Sequence, residues 1–122
     1  MKVQHYFDYK SPYAYLAKAR ISALADEMGF ELELLPYTLD IPAYLGSAST
    51  DERGRVVDEM RNAHQWRRVK YSYMDCRREA NRRGLTIRGP RKIFDSTIAH
   101  IGFLYIEDAA ARSAYHDAVF EK

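Results

Sequence analysis

An alternating apolar pattern over residues 2–8 passes through Tyr9-Lys10-Ser11-Pro12 into a helical repeat, and a second strand pattern follows at residues 31–37. Strand, helix and strand within about 37 residues leave little choice of topology. The strands must lie parallel in one sheet, joined by a right-handed crossover. In the first strand, Val3, His5 and Phe7 share one face and Gln4, Tyr6 and Asp8 the other, so the strand is expected to be central and covered on both faces. In the helix, Tyr13, Leu16, Ala17, Ile21, Leu24, Ala25 and Met28 fall on one stripe, and Gly29 suits a helix stop.

The turn between strand and helix is the first candidate for chemistry. Ser11 stands where a helix begins, with Pro12 as the first helical residue. Amide N–H groups at a helix start lack intrahelical partners, and the dipole there favours negative charge. Ser11 is therefore either a plain N-cap or a hydroxyl that holds an anion. Its place at the carboxyl end of a strand, where α/β proteins gather ligands, supports the second reading.

Beyond Tyr37 the pattern changes. Residues 38–56 carry Asp40, Pro42, Gly46, Ser47, Asp51 and Gly54 and read as a loop with a short helical turn. Residues 57–83 repeat Val57, Met60, His64, Val69, Tyr73, Cys76 and Ala80 at helical spacing, with Gly84 as a stop. A third helical run begins near Asp95 or Ser96 and carries Ile98, Ile101, Gly102, Leu104 and Tyr105 into Asp108; a fourth covers about 110–121, with Tyr115, Ala118 and Val119 inward. The division expected is 1–38 as a βαβ half-domain and 39–122 as an all-helical insertion. Two parallel strands rarely stand alone, so further strands are expected in a chain of this type.

Composition narrows the function. At 47% hydrophobic and 30% charged residues the chain is globular in type. A lone cysteine, Cys76, leaves no intramolecular disulfide and no CxxC pair; it lies on the apolar side of its helix, as a buried structural thiol would. His5, His64, His100 and His116 show no metal-ligand spacing, so no metal site is expected. No apolar run is long enough to span a bilayer and the N-terminus is too polar for a secretory signal, so a cytoplasmic protein with no membrane partner is expected. Residues 67–92 hold ten Lys or Arg against two acids, a net +8 that leaves −6 for the rest. That segment is either a solvated helix face or a surface for anions. Trp66 and Tyr71 beside Arg67 and Lys70 match a nucleic-acid surface in composition only, and no nucleotide-phosphate loop occurs, so no nucleic-acid partner is expected.

The run Phe7-Asp8-Tyr9-Lys10-Ser11-Pro12-Tyr13-Ala14-Tyr15-Leu16-Ala17 resembles the opening of the DsbA-like thioredoxin superfamily, in the branch of 2-hydroxychromene-2-carboxylate isomerases and kappa-class glutathione transferases. Lys70-Tyr71-Ser72-Tyr73-Met74 is similar to that branch's inserted helical domain. The resemblance implies a thioredoxin-like fold with a helical insertion, in which a serine replaces the first redox cysteine. It implies glutathione as cofactor, a small-molecule substrate and an isomerase or transferase activity. Ser11 would hold the glutathione thiolate, with Pro12 and Tyr13 beside it; Lys70 would meet a glutathione carboxylate, and Asn62 stands where some members place an asparagine contact. Relatives carry further strands, a final helix and a cis-proline loop, and none of these is expected before Lys122. The alternative is a non-catalytic relative that self-associates or needs a partner to complete its sheet. A dithiol oxidoreductase is disfavoured, because neither Ser11 nor any residue close after it is a cysteine.

Overall fold

The computed structural model describes residues 1–121 and has the order β1 (Lys2–Phe7), α1 (Pro12–Met28), β2 (Glu31–Pro36), α2 (Ile41–Leu45), β3 (Ala48–Thr50), β4 (Val56–Glu59), α3 (Ala63–Arg82), α4 (Thr97–Tyr105) and α5 (Ala109–Phe120). It divides into two compact units. One comprises Met1–Thr38 with Asp95–Lys122, the other Leu39–Phe94. The helical stretch read over 39–122 is therefore shared between them, because α4 and α5 pack with the βαβ segment.

In the first unit β1 and β2 pair in parallel, from Lys2 opposite Glu31 to Phe7 opposite Pro36. Gly29 takes a left-handed conformation at φ 67°, and its N–H reaches the Ala25 carbonyl at 2.9 Å, which ends α1 and releases the chain into β2. The core forms at the carboxyl end of β1. Phe7 is buried and meets the rings of His116 at 4.5 Å, Tyr9 at 5.0 Å and Phe103 at 5.2 Å, all edge-on. Such contacts add to the stabilisation from buried area. Leu16 and Ala25 supply the buried side of α1.

Three expectations about burial change, and the buried side of α4, left open in the sequence, is set. The outer face of β1 is open: Tyr6 is 59% exposed, and β1 has only β2 as a neighbour among the described residues. Tyr13, Leu24 and Met28 of the α1 stripe are exposed. On α4 the buried side is His100 and Phe103, while Ile98, Ile101, Leu104 and Tyr105 face outward; the apolar residues nearly encircle this helix, so their pattern does not mark a side. On α5 His116 is buried and Ala118 is exposed, because Phe7, Phe103 and Phe120 form an aromatic seat that imidazole fills and a methyl group would not.

In the second unit, residues expected to open the long helix instead form a β3–β4 hairpin. Its turn is closed by Asp51, whose Oδ1 accepts from the Arg53 and Arg55 N–H groups, and by Gly54 at φ 76°. Val56 and Val57 are β-branched and favour strand after such a turn. Helix α3 starts only at Ala63, where Asn62 and Gln65 exchange side-chain and backbone hydrogen bonds at 2.9 Å in a capping box. Cys76 and Ala80 are fully buried on its inner side. Gly46, at φ 63°, also faces a crowded neighbour: a Cβ there would lie 2.5 Å from the Met60 carbonyl oxygen.

Phe103→Ala should lower unfolding free energy by ~3–5 kcal/mol, as expected for emptying a buried aromatic site. Ile101→Ala, on the exposed side of the same helix, should cost less than ~1 kcal/mol. Urea unfolding of both variants checks the assignment of the α4 faces.

Candidate functional site

The candidate site is built by the β1–α1 turn. The Ser11 N–H donates to the Asp8 carbonyl at 2.9 Å, which closes the turn. Ser11 has extended backbone angles (φ −91°, ψ 115°), and its Oγ accepts from the Ala14 N–H at 3.3 Å. Pro12 follows as the first helical residue and has no N–H to satisfy. Ser11 is thus an N-cap in geometry. Its oxygen is engaged at long range, and its hydroxyl proton can be donated outward from the positive end of a 17-residue helix. Tyr13 projects from the first turn and is 46% exposed.

Behind the turn lies a buried polar cluster. Asp8, with a side chain 1% exposed, accepts from Ser96 Oγ at 2.6 Å and from the Lys10 N–H at 3.1 Å, and its other oxygen lies 3.4 Å from Lys10 Nζ. His100 reaches the same place from α4. Its Nε2 accepts from the Tyr9 N–H at 3.4 Å and lies 3.5 Å from Asp8 Oδ1. Since Nε2 accepts, the ring proton sits on Nδ1, 2.8 Å from Thr38 Oγ1, and is donated there. Burial pushes His100 below the ordinary histidine range; Asp8 opposes that shift, Lys10 adds to it, and Asp95 opposes it. Tyr9 Oη lies 3.3 Å from His116 Nδ1. Burial holds His116 at about 4 and raises the Tyr9 phenol above its usual value.

The residues singled out in the sequence fall into two groups. Ser11, Pro12 and Tyr13 meet at the first turn of α1. Asn62 and Lys70 belong to the second unit, as the cap and the exposed side of α3. Asn62 Oδ1 is committed to the cap by its bond from the Gln65 N–H. Lys70 Nζ stands 5.9 Å from the centre of the Trp66 ring, which Arg61 also covers at 4.9 Å. The Trp66 indole N–H donates to Glu59, so this ring is anchored within its own unit. Among the described residues no cluster of three His, Cys, Asp or Glu could hold a metal ion, and no helix is long and apolar enough to cross a membrane.

In the sequence Ser96 reads only as a cap and His100 only as a histidine without metal-ligand spacing, and Thr38 is not singled out. The available signal was the spacing of Ser96 and His100, one helical turn apart and hence on one face. It gained meaning only once Asp8 was placed opposite them.

Residues 2–122 match the DSBA-like thioredoxin domain, so the chain belongs to that family. It is 29% identical over 121 residues to a 2-hydroxychromene-2-carboxylate isomerase of Pseudomonas putida, an alignment that covers 98% of this chain and 54% of that one. A solved structure of a 2-hydroxychromene-2-carboxylate isomerase superposes with a TM-score of 0.67 at 28% identity, again over 98% of this chain and 54% of the other. The chain spans about half the length of these relatives. The thioredoxin-like α/β fold with a βαβ start agrees with the sequence reading.

Acid should destabilise the fold through its two buried histidines. Both are held neutral, His116 at about 4 against 6.5 when unfolded and His100 lowered in the same direction, so the unfolded chain binds more protons in that interval. The stability they contribute is complete above pH 6.5 and is lost as pH falls toward about 4. Urea midpoints across this range should drop on acidification, and His116→Gln should flatten most of the slope.

Proposed function

We propose that this chain, as a member of the DsbA-like thioredoxin family, binds glutathione through the Ser11 turn and serves a glutathione-dependent isomerase or transferase reaction. The observation that carries this reading is a single hydroxyl, Ser11 Oγ, at the start of α1 in the turn that follows β1, where the resemblance to the superfamily's redox members implies a cysteine. A hydroxyl cannot exchange disulfides. It can donate to a thiolate, and the helix dipole favours the same charge. The ligand thiol would thereby be kept ionised near neutral pH and ready to add to an electrophilic carbon. The similarity to isomerases supports this chemistry over electron transfer. Tyr13 is assigned the edge of the sulfur site. Lys70 is proposed as a carboxylate contact on its chemistry: an exposed ammonium with no acidic partner among the described residues. Asn62 is a weaker proposal, limited to its amide nitrogen, since Oδ1 serves the cap. A cytoplasmic setting, where glutathione is plentiful and Cys76 stays reduced, is part of the same proposal.

A second reading has its own support. The outer edge of β1 carries no paired strand among the described residues, and open edges recruit strands. The chain could then function as a homo-oligomer or beside a partner that completes the sheet. Sedimentation velocity decides it: association that grows with concentration supports this reading, and a monomer throughout removes it.

For the first reading, isothermal titration with glutathione should give measurable binding that Ser11→Ala weakens about tenfold or more, the scale of a hydrogen bond to a charged group. Heat that is absent, or unchanged in Ser11→Ala, would refute it.

A further inference from the structure

Ser96 occupies the N-cap position of α4 yet makes no cap bond with its side chain. Ser at that position normally accepts from an N–H of the first turn, a contact that contributes about 1 kcal/mol. Here Asp95 Oδ1 takes the Thr97 N–H at 2.9 Å, and the Ser96 hydroxyl donates instead to Asp8, 88 positions away in sequence. One turn later His100 points at the same carboxylate and at the Tyr9 N–H. Two side chains of α4 are thus committed to a turn in which neither takes part covalently.

We propose that Ser96 and His100 are positioning residues for Ser11, fixing through Asp8 and Tyr9 the turn that aims its hydroxyl. The chain of contacts is short. Asp8 holds both the Lys10 N–H, by its carboxylate, and the Ser11 N–H, by its carbonyl. His100 holds the intervening residue through the Tyr9 N–H. Thr38, just after β2, fixes the far side of the imidazole. Successive amides of the turn at Tyr9, Lys10 and Ser11 therefore each have a partner set by this cluster or by Asp8 itself.

The geometry also gives the cluster two states. With Nε2 unprotonated, the ring accepts from Tyr9. When Nε2 gains a proton it becomes a donor, and Asp8 Oδ1 at 3.5 Å is the acceptor in reach. The Tyr9 N–H then loses its partner and the turn relaxes. The charged groups facing the ring are Asp8 and Lys10 from the turn and Asp95 from the entry to α4; the uncharged ones are Thr38 and the rings of Phe7 and Tyr9. The functional consequence rests on the reading of Ser11 as a thiolate-holding group. The structural coupling does not.

Amide NMR on the intact chain tests it without a ligand. As pH is lowered, the Tyr9, Lys10 and Ser11 amides should shift with the same midpoint as the His100 ring, below 6.5. In His100→Gln, which retains an acceptor but does not titrate, the shifts should vanish. In Ser96→Ala, Asp8 loses its strongest donor and turns to His100, so the His100 midpoint should rise; glutathione affinity at neutral pH should fall about fivefold, the effect of one hydrogen bond. A cluster that only supports the fold would lower stability in both variants and leave the turn amides indifferent to His100. Turn amides that ignore its titration, or that follow the same curve in His100→Gln, overturn the inference. If glutathione does not bind the unaltered chain, the functional proposal fails, and the amide titration still decides the coupling.

Discussion

Burying the carboxylate of Asp8 at the end of β1 carries a desolvation cost of several kcal/mol unless its oxygens are fully engaged. The first unit meets that demand from two segments: Lys10 from the turn, through its N–H and its ammonium, and Ser96 from the entry to α4. A residue that needs both segments in place also holds those segments in place. The position of Ser11 follows, because its N–H is held by the Asp8 carbonyl and its Oγ accepts from the Ala14 N–H at the start of α1. The aromatic core around Phe7 lies beside this cluster, so apolar packing and polar satisfaction converge on the same few residues.

The two units differ in charge as well as in packing. Leu39–Phe94 contains thirteen Lys or Arg against seven Asp or Glu, and the remainder contains six against ten. Part of the excess is internally matched on α3, where Arg78 pairs with Asp75 and both Arg82 and Arg83 pair with Glu79. Exposed pairs of this kind contribute little to stability. Arg67, Arg68 and Lys70 have no acidic partner among the described residues, and they give the amino half of α3 its positive field. Such a field attracts small anions without selecting among them.

Much of this was legible in the residues. The βαβ start, the Gly29 stop and the cap position of Ser11 follow from local rules that tertiary structure rarely overrides. The burial of Cys76 followed from its helical stripe. The hairpin at Ala48–Thr50 and Val56–Glu59 did not, because Val57, Met60 and His64 happen to sit at helical spacing, and only the Asp51–Gly54 turn signals a strand. The buried side of α4 was not legible either: its apolar residues Ile98, Ile101 and Leu104 lie outward, while His100 turns inward to meet the Tyr9 N–H. A long-range polar partner leaves no periodic trace, and the cluster behind Ser11 was hidden for that reason.

A glutathione thiol held at Ser11, as proposed, is ionised more readily than in water. Thiolate absorbance of glutathione followed against pH in the presence of excess chain, with the chain alone as reference, tests this most directly. The bound thiol should titrate below the ordinary thiol value of about 8.5. A titration that coincides with free glutathione, at concentrations where binding is saturated, would contradict it.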